Sequence, residues 1–146
     1  MNETLYQSIV RDRSRAPLYA GRPATYDAYG HGENRMCGDE VTVFFSRDGS
    51  SWRHEAKGCA ILTTSADLMC AAIDGRDITT IPPLREQFEQ LVKTGRTNPD
   101  LGDLNALASI AQYPARLRCA TLPWSGLTSA LDNISAPPRS ANADHV

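Results

Sequence analysis

The dipeptide Asp48-Gly49, set between two runs of alternating residues, narrows the fold of this 146-residue chain more than any other feature. Asp-Gly is a strong signal for a two-residue hairpin turn, whose twist suits the strands it joins. Before it, Val41, Val43 and Phe45 alternate with Thr42, Phe44 and Ser46, as in a strand with one buried face; after it, Trp52 to Lys57 form the return strand. That turn pairs Phe45 with Trp52 and Val43 with His54, and brings Cys59 opposite Gly38, between Cys37 and Asp39. Three polar or sulfur side chains therefore arrive at one end of the sheet. Strict alternation puts Cys59 on the other face from Cys37 and Asp39. Gly58 is the place where the chain can turn to correct this, since glycine tolerates unusual dihedrals, and a bulged three-residue turn would also change the parity.

Cys37, Cys59 and a third cysteine, Cys119, each fall at the junction of two expected elements, where a side chain can point out of the core. Three thiols and one carboxylate, Asp39, make a plausible tetrahedral metal site or sulfur-handling centre. No two of these cysteines form a CxxC pair, so local spacing alone does not establish metal binding. The competing reading is three ordinary buried cysteines. Cys70, inside a helical pattern on the apolar side, reads as a core residue. His54 reads as a half-buried hairpin histidine and His31, in a glycine-flanked loop near Cys37, as a solvated residue or reserve ligand; His145 lies in the tail.

The length suits one domain with a real core. A net charge of −2 gives no field for nucleic acid, and 7% aromatic residues are too few for a base-stacking surface. No apolar run approaches the ~20 residues that cross a bilayer, so a cytoplasmic protein without a membrane partner is expected. There, cysteines stay reduced.

Elsewhere the pattern is mostly helical. Asn2 and Glu3 can cap a helix with Leu5, Ile9 and Val10 on one face, which is expected to dissolve in the basic run Arg11 to Arg15 before Pro17. The default for that run is a solvated helix end. Residues 16 to 35 read as loop with an edge strand around Ala24 to Ala28. A helix over Ile61–Ile73 closes at Gly75. Pro82 and Pro83 open another, with Leu84, Phe88, Leu91 and Val92 on one side and Gly95 as its stop. Leu104–Ala111 is a short third helix with Asp103 as its cap. The last runs over Ala120–Leu131, bent near Pro123, with Trp124 in the core. One domain over 1–133 and a disordered tail over 134–146 are expected. The fold class is α+β: a small, mainly antiparallel three-stranded sheet with helices packed on one face.

At these residues the chain resembles the IscU/NifU N-terminal family of iron-sulfur cluster assembly proteins, and within it the SufU-type branch. The likeness runs through Leu5-Tyr6, Cys37-Gly38-Asp39, Gly58-Cys59, Leu101-Gly102-Asp103 and the long block from Tyr113-Pro114 through Cys119-Ala120-Thr121-Leu122 to Trp124. IscU-type scaffolds carry His before the last cysteine, where this chain has Arg118, and the segment from Thr80 to Asp103 is similar to a stretch that SufU-type proteins add. The chain departs from the pattern before Cys37, where His31 to Met36 replace the family's usual Asn-Pro.

The resemblance implies a SufE/NifU-like fold and a zinc ion held by Cys37, Asp39, Cys59 and Cys119. It implies persulfide sulfur accepted at Cys37 from a SufS-like cysteine desulfurase, with downstream iron-sulfur assembly proteins as further partners. Such a protein is an accessory sulfurtransferase rather than a stand-alone enzyme. The alternative it offers is a scaffold on which a [2Fe-2S] cluster is built. Four anionic donors exceed the two charges of zinc, an excess that Arg116 and Arg118 would offset if they lie nearby.

Overall fold

The computed structural model describes residues 3–135. Its sheet is antiparallel, with three strands in chain order: β1 (Ala28–Asn34), β2 (Asp39–Ser46) and β3 (Ser51–Lys57). The β2–β3 register is the predicted one, Phe45 opposite Trp52 and Val43 opposite His54. The turn is not the predicted two-residue type, which needs positive φ at both central residues (type I′) or at the first (type II′). Of Asp48 and Gly49 only Gly49 has it (φ 73), and the Ser50 amide closes the turn by donating to Arg47 O at 3.0 Å.

The expected loop over 16–35 contains all of β1, and the edge strand expected around Ala24–Ala28 meets it only at Ala28. Gly30 and Gly32 disguised the strand. They are there because α4 (Leu117–Ser135) crosses β1 at backbone contact: a Cβ on Gly30 would overlap Gly126 O and Ala130 N, and one on Gly32 would come within 3.2 Å of Leu122 O. In this strand glycine admits a close neighbour and does not mark a turn.

The helices lie on the opposite side of the sheet from solvent. α1 (Glu3–Arg15) runs through the basic stretch instead of dissolving in it, and stops before Pro17. Of its expected cap, Asn2 lies outside the described residues. α2 (Ala60–Ile73) is followed by Gly75 at φ 76, and α3 (Ile81–Thr94) is capped by left-handed Gly95. The short helix expected at Leu104–Ala111 belongs to a longer run of 3₁₀ turns, Pro99–Gln112, broken at Gly102 (φ 53). Its cap is Asn98, whose side chain accepts from the Asp100 amide, and Asn105 holds the kink by donating to Asn98 O and Gly102 O; Asp103 is exposed. α4 keeps Pro123 inside it and takes in Ile134 and Ser135, the first residues of the expected tail; residues 136–146 lie outside the described residues.

Val41, Val43, Phe45 and Trp52 face the helices and are at most 3% exposed. Burying side chains of this size stabilises by about 1.5–3 kcal/mol each. Phe44 points the other way yet is also buried, beneath the Tyr26 ring (centroids 5.0 Å apart) and the Arg22 guanidinium. Trp124 stacks on Phe88 at 4.8 Å in the layer between α3 and α4, the core position expected of it. No helix among the described residues is long and apolar enough to cross a membrane.

Candidate metal centre

Asp39 opens β2, Cys59 is the N-cap residue of α2, and Cys119 lies in the first turn of α4. Their ligand atoms all lie within 4.8 Å of one another, with Asp39 and Cys119 buried and Cys59 half-buried. Local structure explains the convergence. The β2–β3 ladder ends with Lys57 opposite Glu40, next to Asp39, and Gly58, at φ 157, swings Cys59 off the strand and into α2. The parity problem is solved where the sequence allowed it. Ser65 Oγ then ties α2 to α4 by donating to Ala120 O at 2.6 Å, one residue from Cys119.

Cys37 is not gathered with these three. It sits exposed in the Arg35–Gly38 turn between β1 and β2, beyond Gly38 at φ 73. Asn34 organises that turn: its carbonyl accepts from the Cys37 amide (3.2 Å), its Oδ1 from the Met36 amide (3.2 Å), and its Nδ2 donates to Cys37 Sγ at 3.5 Å. Arg116 and Arg118 are both exposed. His31 is in β1 rather than a loop; its Nδ1 meets Thr42 Oγ1 at 2.9 Å and its Nε2 lies 3.9 Å from Glu33 and Glu40.

The three gathered side chains fit a divalent metal. Asp39 Oδ1 accepts the Cys59 amide at 3.3 Å, but Oδ2 is buried without a hydrogen-bond partner. A buried carboxylate oxygen left bare is costly unless something satisfies it. Burial, then the neighbouring Cys59 and Asp39, push the Cys119 thiol up to about 12. Packing three acceptor or anionic groups together is unfavourable for the protein alone, and a cation reverses the sign of that interaction. Two sulfurs and an oxygen suit zinc or another borderline-soft ion.

The sequence reading missed a second buried polar cluster. Asp67, on α2, is completely buried. Its Oδ2 accepts from Arg13 Nη1 and the Leu18 amide, both at 2.9 Å; its Oδ1 accepts from the Tyr19 amide at 2.7 Å and lies 3.0 Å from His54 Nε2. Burial alone would raise its pKa, but the hydrogen bonds outweigh burial and hold it at about 2. His54 is thus fully buried and not half-buried, and Arg13 belongs to this cluster rather than to a solvated helix end. The available signal was a charged residue between Ala66 and Leu68 in a helix apolar nearly all round, which has to find partners. Cys70 is a core residue as expected; burial, with Asp67 next, pushes its thiol well up.

Fold and site together define a small α+β domain with a thiol–carboxylate cluster at the end of a three-stranded sheet. The NifU-like N terminal domain profile matches residues 5–120, and the chain belongs to that family. It is 32% identical to the zinc-dependent sulfurtransferase SufU of Bacillus subtilis, over 86% of this chain and 88% of that one. It is 33% identical to the iron-sulfur cluster assembly scaffold protein IscU of Streptococcus pyogenes, over 97% of this chain and 88% of that one. A crystal structure of a candidate assembly scaffold protein for the SUF system, from Fervidobacterium islandicum, superposes with a TM-score of 0.77 at 27% identity, covering 90% of this chain and 99% of that one.

Proposed function

We propose that this chain works in iron-sulfur cluster assembly as a zinc-dependent sulfur acceptor for a cysteine desulfurase, in the cytoplasm. The observation that carries this reading is the separation of Cys37 from the cluster of Asp39, Cys59 and Cys119: three groups suited to hold an ion, and an exposed thiol at the same end of the sheet. The relative from Bacillus subtilis, a zinc-dependent sulfurtransferase by name, supports it.

Asp39, Cys59 and Cys119 would hold the zinc, with Cys37 as the fourth, exchangeable ligand. When bound, the ion keeps thiols ionised at neutral pH. Cys37, exposed on a turn where its sulfur accepts from the Asn34 amide, can leave that set and meet a partner. Its thiolate attacks the terminal sulfur of the desulfurase persulfide. The partner's S–S bond breaks as a new one forms on Cys37, and the desulfurase cysteine leaves as a thiolate, so no outside oxidant or reductant is needed. Arg116 and Arg118, exposed and three and one residues before Cys119 in the chain, would supply positive charge to the anionic donor set. The sulfur then passes to downstream assembly proteins.

A second reading, a scaffold carrying a [2Fe-2S] cluster as cargo on the same residues, is favoured by the relative from Streptococcus pyogenes. Anaerobic loading with iron and sulfide separates the two. Sulfur transfer predicts a colourless zinc protein that stimulates a desulfurase, whereas visible cluster absorption together with no stimulation would favour the scaffold.

A further inference from the structure

Resting on the reading of Asp39, Cys59 and Cys119 as a metal centre, we infer that Gly58 is a positioning residue that commits Asp39 to offering the metal one oxygen, Oδ2. The two oxygens of this carboxylate are unequal in the protein itself. Oδ1 takes the Cys59 amide at 3.3 Å, while Oδ2 is buried and bare. Gly58 is what lets the carboxylate lie so close to the chain. A Cβ on residue 58 would overlap Asp39 Oδ1 and stand 2.8 Å from its Cγ and 2.9 Å from Leu62 Cδ2.

Leu62 is fully buried and cannot retreat, and the Asp39 backbone is fixed by pairing with Asn34 at the start of β2. Of these two neighbours, the carboxylate is the one able to yield. Moving it breaks the Cys59 amide hydrogen bond and turns Oδ2 away from the two sulfurs. The consequence is one of coordination number. A carboxylate giving one oxygen takes one position on the ion where a bidentate one takes two. With Oδ1 occupied, a position stays available for the Cys37 thiolate or for a sulfur donor that replaces it.

The test starts without metal. In metal-free wild type the Cys59 amide is expected to exchange slowly with solvent deuterium, and in Asp39→Ala rapidly. Gly58→Ala, with its fold checked by circular dichroism, is expected to bind zinc tenfold to a hundredfold more weakly, the range set by loss of an orienting contact to a ligand, in competition with a chromophoric chelator. The visible ligand-field bands of its cobalt(II) derivative should lose the four-coordinate pattern of the wild type. Gly75→Ala controls for backbone strain alone, since that glycine also has positive φ (76) but a Cβ there meets nothing within 4 Å; it should leave zinc affinity unchanged. A rapidly exchanging Cys59 amide in the wild type, which needs no variant to fold, overturns the inference. So does a folded Gly58→Ala with zinc affinity within twofold of wild type, and either result leaves the metal reading standing. Wild type that takes up no zinc overturns the metal reading itself, and this inference with it.

Discussion

Cys59, Cys70 and Cys119 carry the same thiol, two at the candidate metal centre and one in the core, and these settings predict two outcomes. Cys59→Ala or Cys119→Ala should strip the metal, and with it the stabilisation that a tightly held ion adds, ~3–4 kcal/mol where the ion is present at a hundred to a thousand times its dissociation constant. Metal content by elemental analysis and unfolding with and without chelator check this. Cys70→Ala should leave metal content intact and cost about 1–3 kcal/mol through a small cavity. The protonated Cys119 of the metal-free protein makes a separate prediction. Its thiol sits at about 12 because of burial and its neighbours Cys59 and Asp39, so zinc uptake at neutral pH must expel its proton. Calorimetric titration in buffers of different ionisation enthalpy should show proton release on binding, and zinc affinity should rise with pH. A buffer-independent heat would mean that the Cys119 proton is not displaced.

At the scale of elements, the contact of β1 with α4 rests on the missing side chain of Gly30. Gly30→Ala forces a methyl group into backbone atoms of Gly126 and Ala130, and the cost should exceed the usual ~1–3 kcal/mol of overpacking, because neither helix nor strand backbone can rotate away. Chemical denaturation would register it; a variant as stable as wild type would show that α4 does not sit this close. The same position shows why the sequence was legible in part. The β2–β3 register followed from alternation about Asp48-Gly49, and α2 and α3 from apolar spacing and terminal glycines, since these are local signals. β1 was read as loop because Gly30 and Gly32 answer to a helix about a hundred residues away, and no local pattern reports that. For the site, the meeting of Asp39 and Cys59 could be read from the hairpin and Gly58. That Cys119 joins them depends on how α4 packs on α2, and the turn held by Asn34 that sets Cys37 apart is a tertiary detail of three hydrogen bonds. Asp67 was overlooked because its partners Arg13, Leu18, Tyr19 and His54 come from α1, the segment after it and β3.

Across the whole molecule Asp67 is the knot between the N-terminal segment, the sheet and α2, and it makes acid stability a global property. Its carboxyl is held at about 2 in the fold against an ordinary 3.8. A depressed carboxylate stabilises above its unfolded value and loses that contribution as pH falls through the folded one, here from about 4 to about 2. Asp67→Asn should cost about 3–5 kcal/mol at neutral pH, since it leaves half-buried Arg13 and buried His54 without their anion, and should lose less stability than wild type over that acid window. Denaturation midpoints at several pH values decide this; parallel curves for the two proteins would contradict it. Asp67 ties the fold together beside the middle of β3, and the sulfur-acceptor role proposed for Cys37 can be tested directly. The protein, loaded with zinc, is mixed with the cysteine desulfurase of the same organism and cysteine, alkylated, digested and mapped by mass spectrometry. One extra sulfur on the Cys37 peptide is predicted, with loss of desulfurase stimulation in a Cys37→Ser variant that still folds. Extra sulfur only on Cys59 or Cys119, or full stimulation by Cys37→Ser, would contradict sulfur transfer through Cys37.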